Sequence, residues 1–150
     1  MSDYLNKDEI FAINDIDVKE ITVPDDFSSK AWRGKKFFIK QLTRGQQDQY
    51  LSRQFGETRM KQDAKAKNQE ITAVKLYGHD AWLCIQGVCD EKGSPVFAIA
   101  DMPKLNEKSG AIIGWIASQI IEFSDMTMDA KVARGEISPE KALEEEIKNS

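Results

Sequence analysis

The residues best suited to chemistry are one histidine and two cysteines, set close together as His79, Cys84 and Cys89, with Asp80 next to the histidine. Three kinds of chemistry are worth testing on that set. They are a cysteine nucleophile with a histidine base, a His–Asp proton relay, and a zinc site. Periodicity argues against each. Apolar residues at Ile71, Val74, Tyr77, Ala81, Cys84, Ile85 and Val88 follow three- and four-residue steps, which predicts a helix over this stretch. Neighbours on a helix diverge by about 100°, so His79 and Asp80 do not form a dyad. His79 and Cys84 are five apart, well off a shared face. The spacing of His79, Cys84 and Cys89 is not that of a zinc site. The two cysteines do not face each other on a helix, so they read as reduced core residues. Gly87, Gly93 and Gly110 are isolated and form no phosphate loop. The expectation is a chain that is not an enzyme and has no catalytic residue, cofactor or metal.

Residues 70–97 form the centre of the chain. After the apolar helix, Asp90-Glu-Lys-Gly-Ser-Pro95 reads as a turn, with Gly93 free to take positive φ. Val88-Cys89 and Val96-Phe97 are expected to pair around it as a short second hairpin. The totals fit this picture. The chain has 150 residues, 31% charged and 41% hydrophobic, with a formal net charge of -4. That length suits one domain with a real core and needs no disulfide. A nucleic-acid partner would call for a basic excess, which is absent. The first residues lack the basic-then-apolar pattern of a signal peptide. The longest apolar segment, residues 111–123, is too short to span a bilayer. No membrane association and a cytosolic location are therefore expected.

Taken in order, Asn6-Lys-Asp-Glu9 resembles a capping box and predicts a short helix over residues 7–14. Residues 18–23 are rich in β-branched side chains and stop at Pro24, which predicts a strand. Residues 25–34 form a polar connector holding Phe27 and Trp32. Residues 35–42 predict a second strand, antiparallel to the first. Thr43-Arg-Gly-Gln46 is a capping box opening a helix to about residue 55, with Tyr50, Leu51 and Phe55 on its buried side, and Gly56 is expected to interrupt it. The mixed-charge run at 57–67 reads as a solvated helical face or a link. Asp101 and Pro103 predict a short helix start. Asn106 or Ser109 then opens the most apolar helix, with Ile112, Ile113, Ile116, Ile120 and Phe123 in its stripe. Gly110 and Gly114, four apart, either let another helix approach closely or simply leave packing room there. A further turn or two is expected around residues 125–132, ended by Gly135. Ser138-Pro139 starts an acidic final helix over residues 138–149.

The expected fold is α+β, mostly helical, with an N-terminal β-hairpin packed on a helical bundle. A single domain spans residues 1–150. It comprises an N-terminal helix and hairpin (1–42), a helical core (43–135) and an acidic C-terminal helix (136–150). Several apolar residues lie outside the obvious core stripes: Phe11, Phe27, Trp32, Phe37, Phe38, Met126 and Met128. Aromatic and methionine-rich surfaces adapt to partners, so these seven are the candidate partner-binding residues. Together they favour protein interaction over catalysis.

The order of segments also resembles a known family. The carrying segments are Leu5-Asn-Lys-Asp-Glu-Ile-Phe-Ala-Ile-Asn14, Val18-Lys-Glu-Ile-Thr-Val-Pro24, and the run from Trp32-Arg-Gly to Leu42-Thr43. The apolar run from Ala81 through Asp90-Glu-Lys-Gly-Ser-Pro-Val-Phe97 and the helix over 112–123 complete the pattern. The chain resembles the tail assembly chaperones of long-tailed, siphophage-type bacteriophages. One departure is the longer connector at 25–31, where the family has a tight turn. The resemblance implies a protein that binds the tape measure protein, keeps it soluble and helps recruit the tail tube protein. It also implies self-association, action in the host bacterial cytoplasm, and absence from the mature virion. The alternative reading is a structural minor tail or head–tail connector protein of a phage or prophage.

Overall fold

The structure is a computed structural model, and it describes residues 4–66 and 78–148, residues 56–66 by their backbone alone. The predicted central helix before Gly78 therefore lies outside the described residues. The first element, α1 (Lys7–Ala12), starts where the capping signal places it: the Asn6 side chain accepts from the Glu9 N–H at 2.9 Å. None of its residues is buried.

Strands β1 (Val18–Thr22) and β2 (Lys36–Lys40) pair antiparallel, with Ile21 opposite Phe37 and Lys19 opposite Ile39. The long connector between them closes tightly. The Val23 N–H donates to the Lys35 carbonyl at 2.9 Å, and the Gly34 N–H, at φ 73°, donates to the Val23 carbonyl at 3.0 Å. A single 3₁₀ turn at Lys30–Trp32 takes up the extra residues. The departure from a tight turn thus leaves the hairpin geometry intact.

Helix α2 (Arg44–Ala66) opens on both halves of the predicted box. The Gln46 N–H donates to Thr43 Oγ1 and the Thr43 N–H to Gln46 Oε1. Two expectations fail here. Gly56 does not interrupt the helix; a glycine inside a helix costs about 1 kcal/mol, which long helices tolerate. Tyr50 is buried as expected and Leu51 half-buried, but Phe55 is about half exposed, and Gln54 joins Tyr50 on the buried face in its place. These are four apart, one above the other on the helix.

Helix α3 (His79–Gly87) runs directly into β3 (Val88–Cys89), which pairs with β2 on one side and meets Pro95 and Val96 on the other. The sheet is therefore three-stranded, in the order β1-β2-β3. The expected second hairpin is present in short form: the Asp90 N–H donates to the Ser94 carbonyl at 2.9 Å, Cys89 bridges Pro95, and the Val96 N–H donates to the Val88 carbonyl at 3.3 Å. What the sequence did not show is that β3 also covers the open edge of β2, whose N–H and C=O groups need partners. Asp90 organises the following turn. Its Oδ1 accepts from the Lys92 and Ser94 N–H groups, each at 2.9 Å, and Gly93 takes φ 87°. Lys40 Nζ clamps this turn to β2 through the Gly93 carbonyl.

Asp101 acts differently from expectation. It makes no side-chain cap to α4 (Met102–Asn106); its Oδ2 accepts from the Ala98 N–H at 2.8 Å, bracing the preceding 3₁₀ turn. Ser109 caps α5 (Gly110–Phe123), whose Ile112, Ile113, Ile116, Ala117, Ile120 and Ile121 are buried. α5 ends in a Schellman motif. Asp125, at φ 58°, donates its N–H to the Glu122 carbonyl, and the Met126 N–H reaches back to Ile121 at 3.1 Å. Then follow α6 (Thr127–Ala133), closed by Gly135 at φ 75°, and α7 (Pro139–Lys148), of which Ala142 is buried while Leu143 stays exposed.

One buried cluster joins the sheet to the helices. It includes Ile21, Val23, Ile39 and Val88 from the strand region, Tyr50 from α2, Leu83 from α3, and Ile112 and Ile120 from α5. The hairpin is thus packed on the helical region through a shared core, giving a predominantly helical α+β fold. The close approach is not at Gly110 or Gly114, where an added Cβ would touch nothing nearer than 4.0 Å. It is at Gly87, where a Cβ would lie 2.6 Å from Ile120 Cδ1. Among the described residues, no helix is long and apolar enough to cross a membrane.

Candidate functional site

Two features deserve comparison: a polar cleft that the sequence reading missed, and the apolar residues it singled out. The cleft, of about 400 Å³, lies where the starts of α3 and α5 meet α2 and the end of α6. Gly78, at φ 90°, lets the chain turn sharply into α3 and leaves His79 buried and Asp80 facing the opening. Arg134, the C-cap of α6, and Gln54 of α2 form other walls. Gln54 is buried and donates through Nε2 to the Tyr50 hydroxyl at 3.3 Å.

Asp80 is exposed by surface area, but its place in the cleft partly desolvates the carboxyl and raises it above the usual aspartate range, while Arg134 and then His79 pull it back down. Burial likewise raises the Tyr50 phenol, against a smaller lowering by Arg134. The sign for Asp80 follows from linkage. A folded-state value above the unfolded one makes the folded state the stronger proton binder. Stability then falls as pH rises from about 4 through the raised value. Asp80→Asn removes that loss. Its thermal midpoint should match the parent chain at about pH 3 and exceed it at about pH 7. The favourable dipole at the start of α3 limits the size of the gain. Equal midpoints at both pH values would show that the walls do not desolvate Asp80.

Both cysteines are free, buried thiols. Cys84 is buried, its thiol points at the Ile113 carbonyl 3.9 Å away, and burial pushes its pKa up to about 12. Cys89 is also buried and its thiol is raised, first by burial. The thiolate is the nucleophile, so neither side chain should react with a thiol reagent at neutral pH until the chain unfolds. Mass spectrometry of the native chain after iodoacetamide should find both unmodified. Among the described residues, no group of three His, Cys, Asp or Glu side chains is placed to hold a metal.

The seven sequence-chosen residues separate into different environments. Phe11 is 79% exposed on α1, with Leu5, Ile10 and Ile13 each more than half exposed around it. Trp32 and Phe37 are half-buried with ring centres 6.0 Å apart, and Phe27 meets Trp115 edge-on at 6.1 Å. Phe38 is half-buried on the sheet face opposite Ile39, in register with Glu20 and Cys89. Met128 is half-buried. Met126 has only 1% of its surface exposed and belongs to the core, so it offers nothing to a partner. The cause is local: as the residue after the left-handed Asp125, it is folded back onto α5 by the Schellman motif. The structure brings Trp32 and Phe37 together and leaves Phe11 far more open than the rest. The exposed neighbours Leu5, Ile10 and Ile13 were legible as an apolar run without a core stripe.

The fold and these features define a helical α+β protein with an apolar N-terminal arm and a small polar cleft. Compared with known families, curated proteins and solved structures, the chain shows no significant match to any.

Proposed function

We propose that this chain is a phage tail assembly chaperone, without enzymatic activity, that binds the tape measure protein and promotes assembly of the tail tube. The observation that carries the reading is the arm around α1, where Ile10 and Phe11 of the helix and the flanking Leu5 and Ile13 stand in solvent, and the helix has no buried residue. Exposed apolar groups in that density mark an interaction site. The ordered segments that resemble the chaperone family add the identity of the partner. The half-buried aromatic pair Trp32–Phe37 supplies a second apolar contact beside exposed lysines. In this reading the chain acts in the host cytoplasm, self-associates, contacts the tail tube protein and leaves before the virion is complete.

Co-expression with the tape measure protein encoded beside it tests the proposal. The tape measure protein should move from the insoluble to the soluble fraction and co-purify with this chain. Unchanged solubility with and without the chain would sink the idea. Mass spectrometry of purified virions separates the remaining alternative, because a minor tail or connector protein stays in the particle and a chaperone does not.

A further inference from the structure

Charge is unevenly divided along the chain in a way that matches its exposed apolar groups. Residues 1–17 hold five acids and one base, net -4, and residues 18–44 hold seven bases and three acids, net +4. The acidic segment is the one that carries the exposed Leu5, Ile10, Phe11 and Ile13. The basic segment is the hairpin, where Lys30, Arg33, Lys35 and Lys36 are exposed around the half-buried Trp32–Phe37 pair. Part of that positive charge is already answered: Lys36 sits 3.7 Å from Glu20, and Arg33 Nε donates to the Phe27 carbonyl at 2.6 Å. Lys30 and Lys35 are the exposed cations of this face with no such role among the described contacts.

We propose that the N-terminal arm of one copy docks on the basic, aromatic hairpin face of a second copy. The arm supplies apolar side chains and acids, and the face supplies aromatic surface and lysines. Complementarity of both kinds selects this partner over an arbitrary apolar surface. Within one chain no residue of α1 is buried, although only residues 13–17 separate it from β1. Two copies joined through one such contact keep one arm and one face free, and the free arm remains open to the tape measure protein. The inference rests on the self-association in the proposed function but needs no tape measure protein.

Sedimentation of the full chain over roughly a hundredfold micromolar concentration range reads the outcome. The mass of the parent chain should rise with concentration. Raising salt from about 0.1 M to about 1 M, which shortens the screening length from ~10 Å to ~3 Å, should weaken association about tenfold. Phe11→Asp and the double variant Lys30→Glu/Lys35→Glu should each stay monomeric, with circular dichroism unchanged because all three side chains are exposed. An equimolar mixture of the two variants should recover a dimer, since each supplies the half that the other lacks. A parent chain that remains monomeric throughout would overturn the proposal. So would a Phe11→Asp chain that associates as the parent does, or a mixture that stays monomeric. Tape measure solubility is a separate readout: a self-associating chain that fails there would sink the chaperone reading and leave this one standing.

Discussion

Truncating Ile120 to alanine should destabilise the chain by about 2–5 kcal/mol, the range for removing a fully buried isoleucine side chain and leaving a cavity. Ile120 has none of its surface exposed, and all three of its nearest side-chain atoms crowd the space beside Gly87. Gly87→Ala should also destabilise, by about 1–3 kcal/mol, because the new methyl overpacks a filled site. This runs against helix propensity, which favours alanine over glycine by about 1 kcal/mol. The two effects are coupled. With Ile120 shortened, the methyl at position 87 enters the vacated space. The double variant should therefore be less destabilised than the sum of the singles, by about 1 kcal/mol or more. Urea unfolding of the four chains measures the cycle, and strict additivity would show that the α3–α5 contact at Gly87 is not the constraint described here.

Ser124→Ala is the second large effect, at about 1–3 kcal/mol, because it strips a buried backbone N–H of its acceptor. The Leu42 N–H donates to Ser124 Oγ at 2.9 Å, and both residues are buried. Two glutamines reinforce the same joint. Gln41 Nε2 donates to the Phe123 carbonyl at 3.2 Å and Gln47 Nε2 to the Ser124 carbonyl at 3.2 Å. These contacts tie the end of the hairpin to the end of α5, across about eighty residues of sequence. Loss of Ser124 should therefore lower hydrogen-exchange protection at Leu42 more than at Ile116 in the middle of α5. Equal protection losses at both positions would mean that the hairpin and α5 open as one unit.

Much of the fold was legible because its signals are local. The Asn6 and Thr43 caps, the strand ending at Pro24, the α5 stripe and the Ser138-Pro139 start each depend on residues within a few positions of one another. The candidate interaction residues were legible only in part. Phe11 stands exposed, as a residue outside any core stripe should, whereas Met126 lies in the core through a left-handed aspartate that composition does not announce. The polar cleft was hidden altogether, since Gln54, Asp80 and Arg134 come from three separate helices.

His79, Asp80, Cys84 and Cys89, the residues most capable of chemistry, mark the same division. Their spacing by itself argued against a dyad, through helical geometry, and against a zinc site, through the usual ligand spacing. Tertiary structure decided the rest. It placed Cys84 against α5 with its thiol held protonated, put Cys89 in a third strand pairing with β2, and set Asp80 and Arg134 in the walls of one cleft. Capping and periodicity are written in neighbouring residues. Desolvation, an open strand edge and the space beside Gly87 exist only once distant segments are packed together.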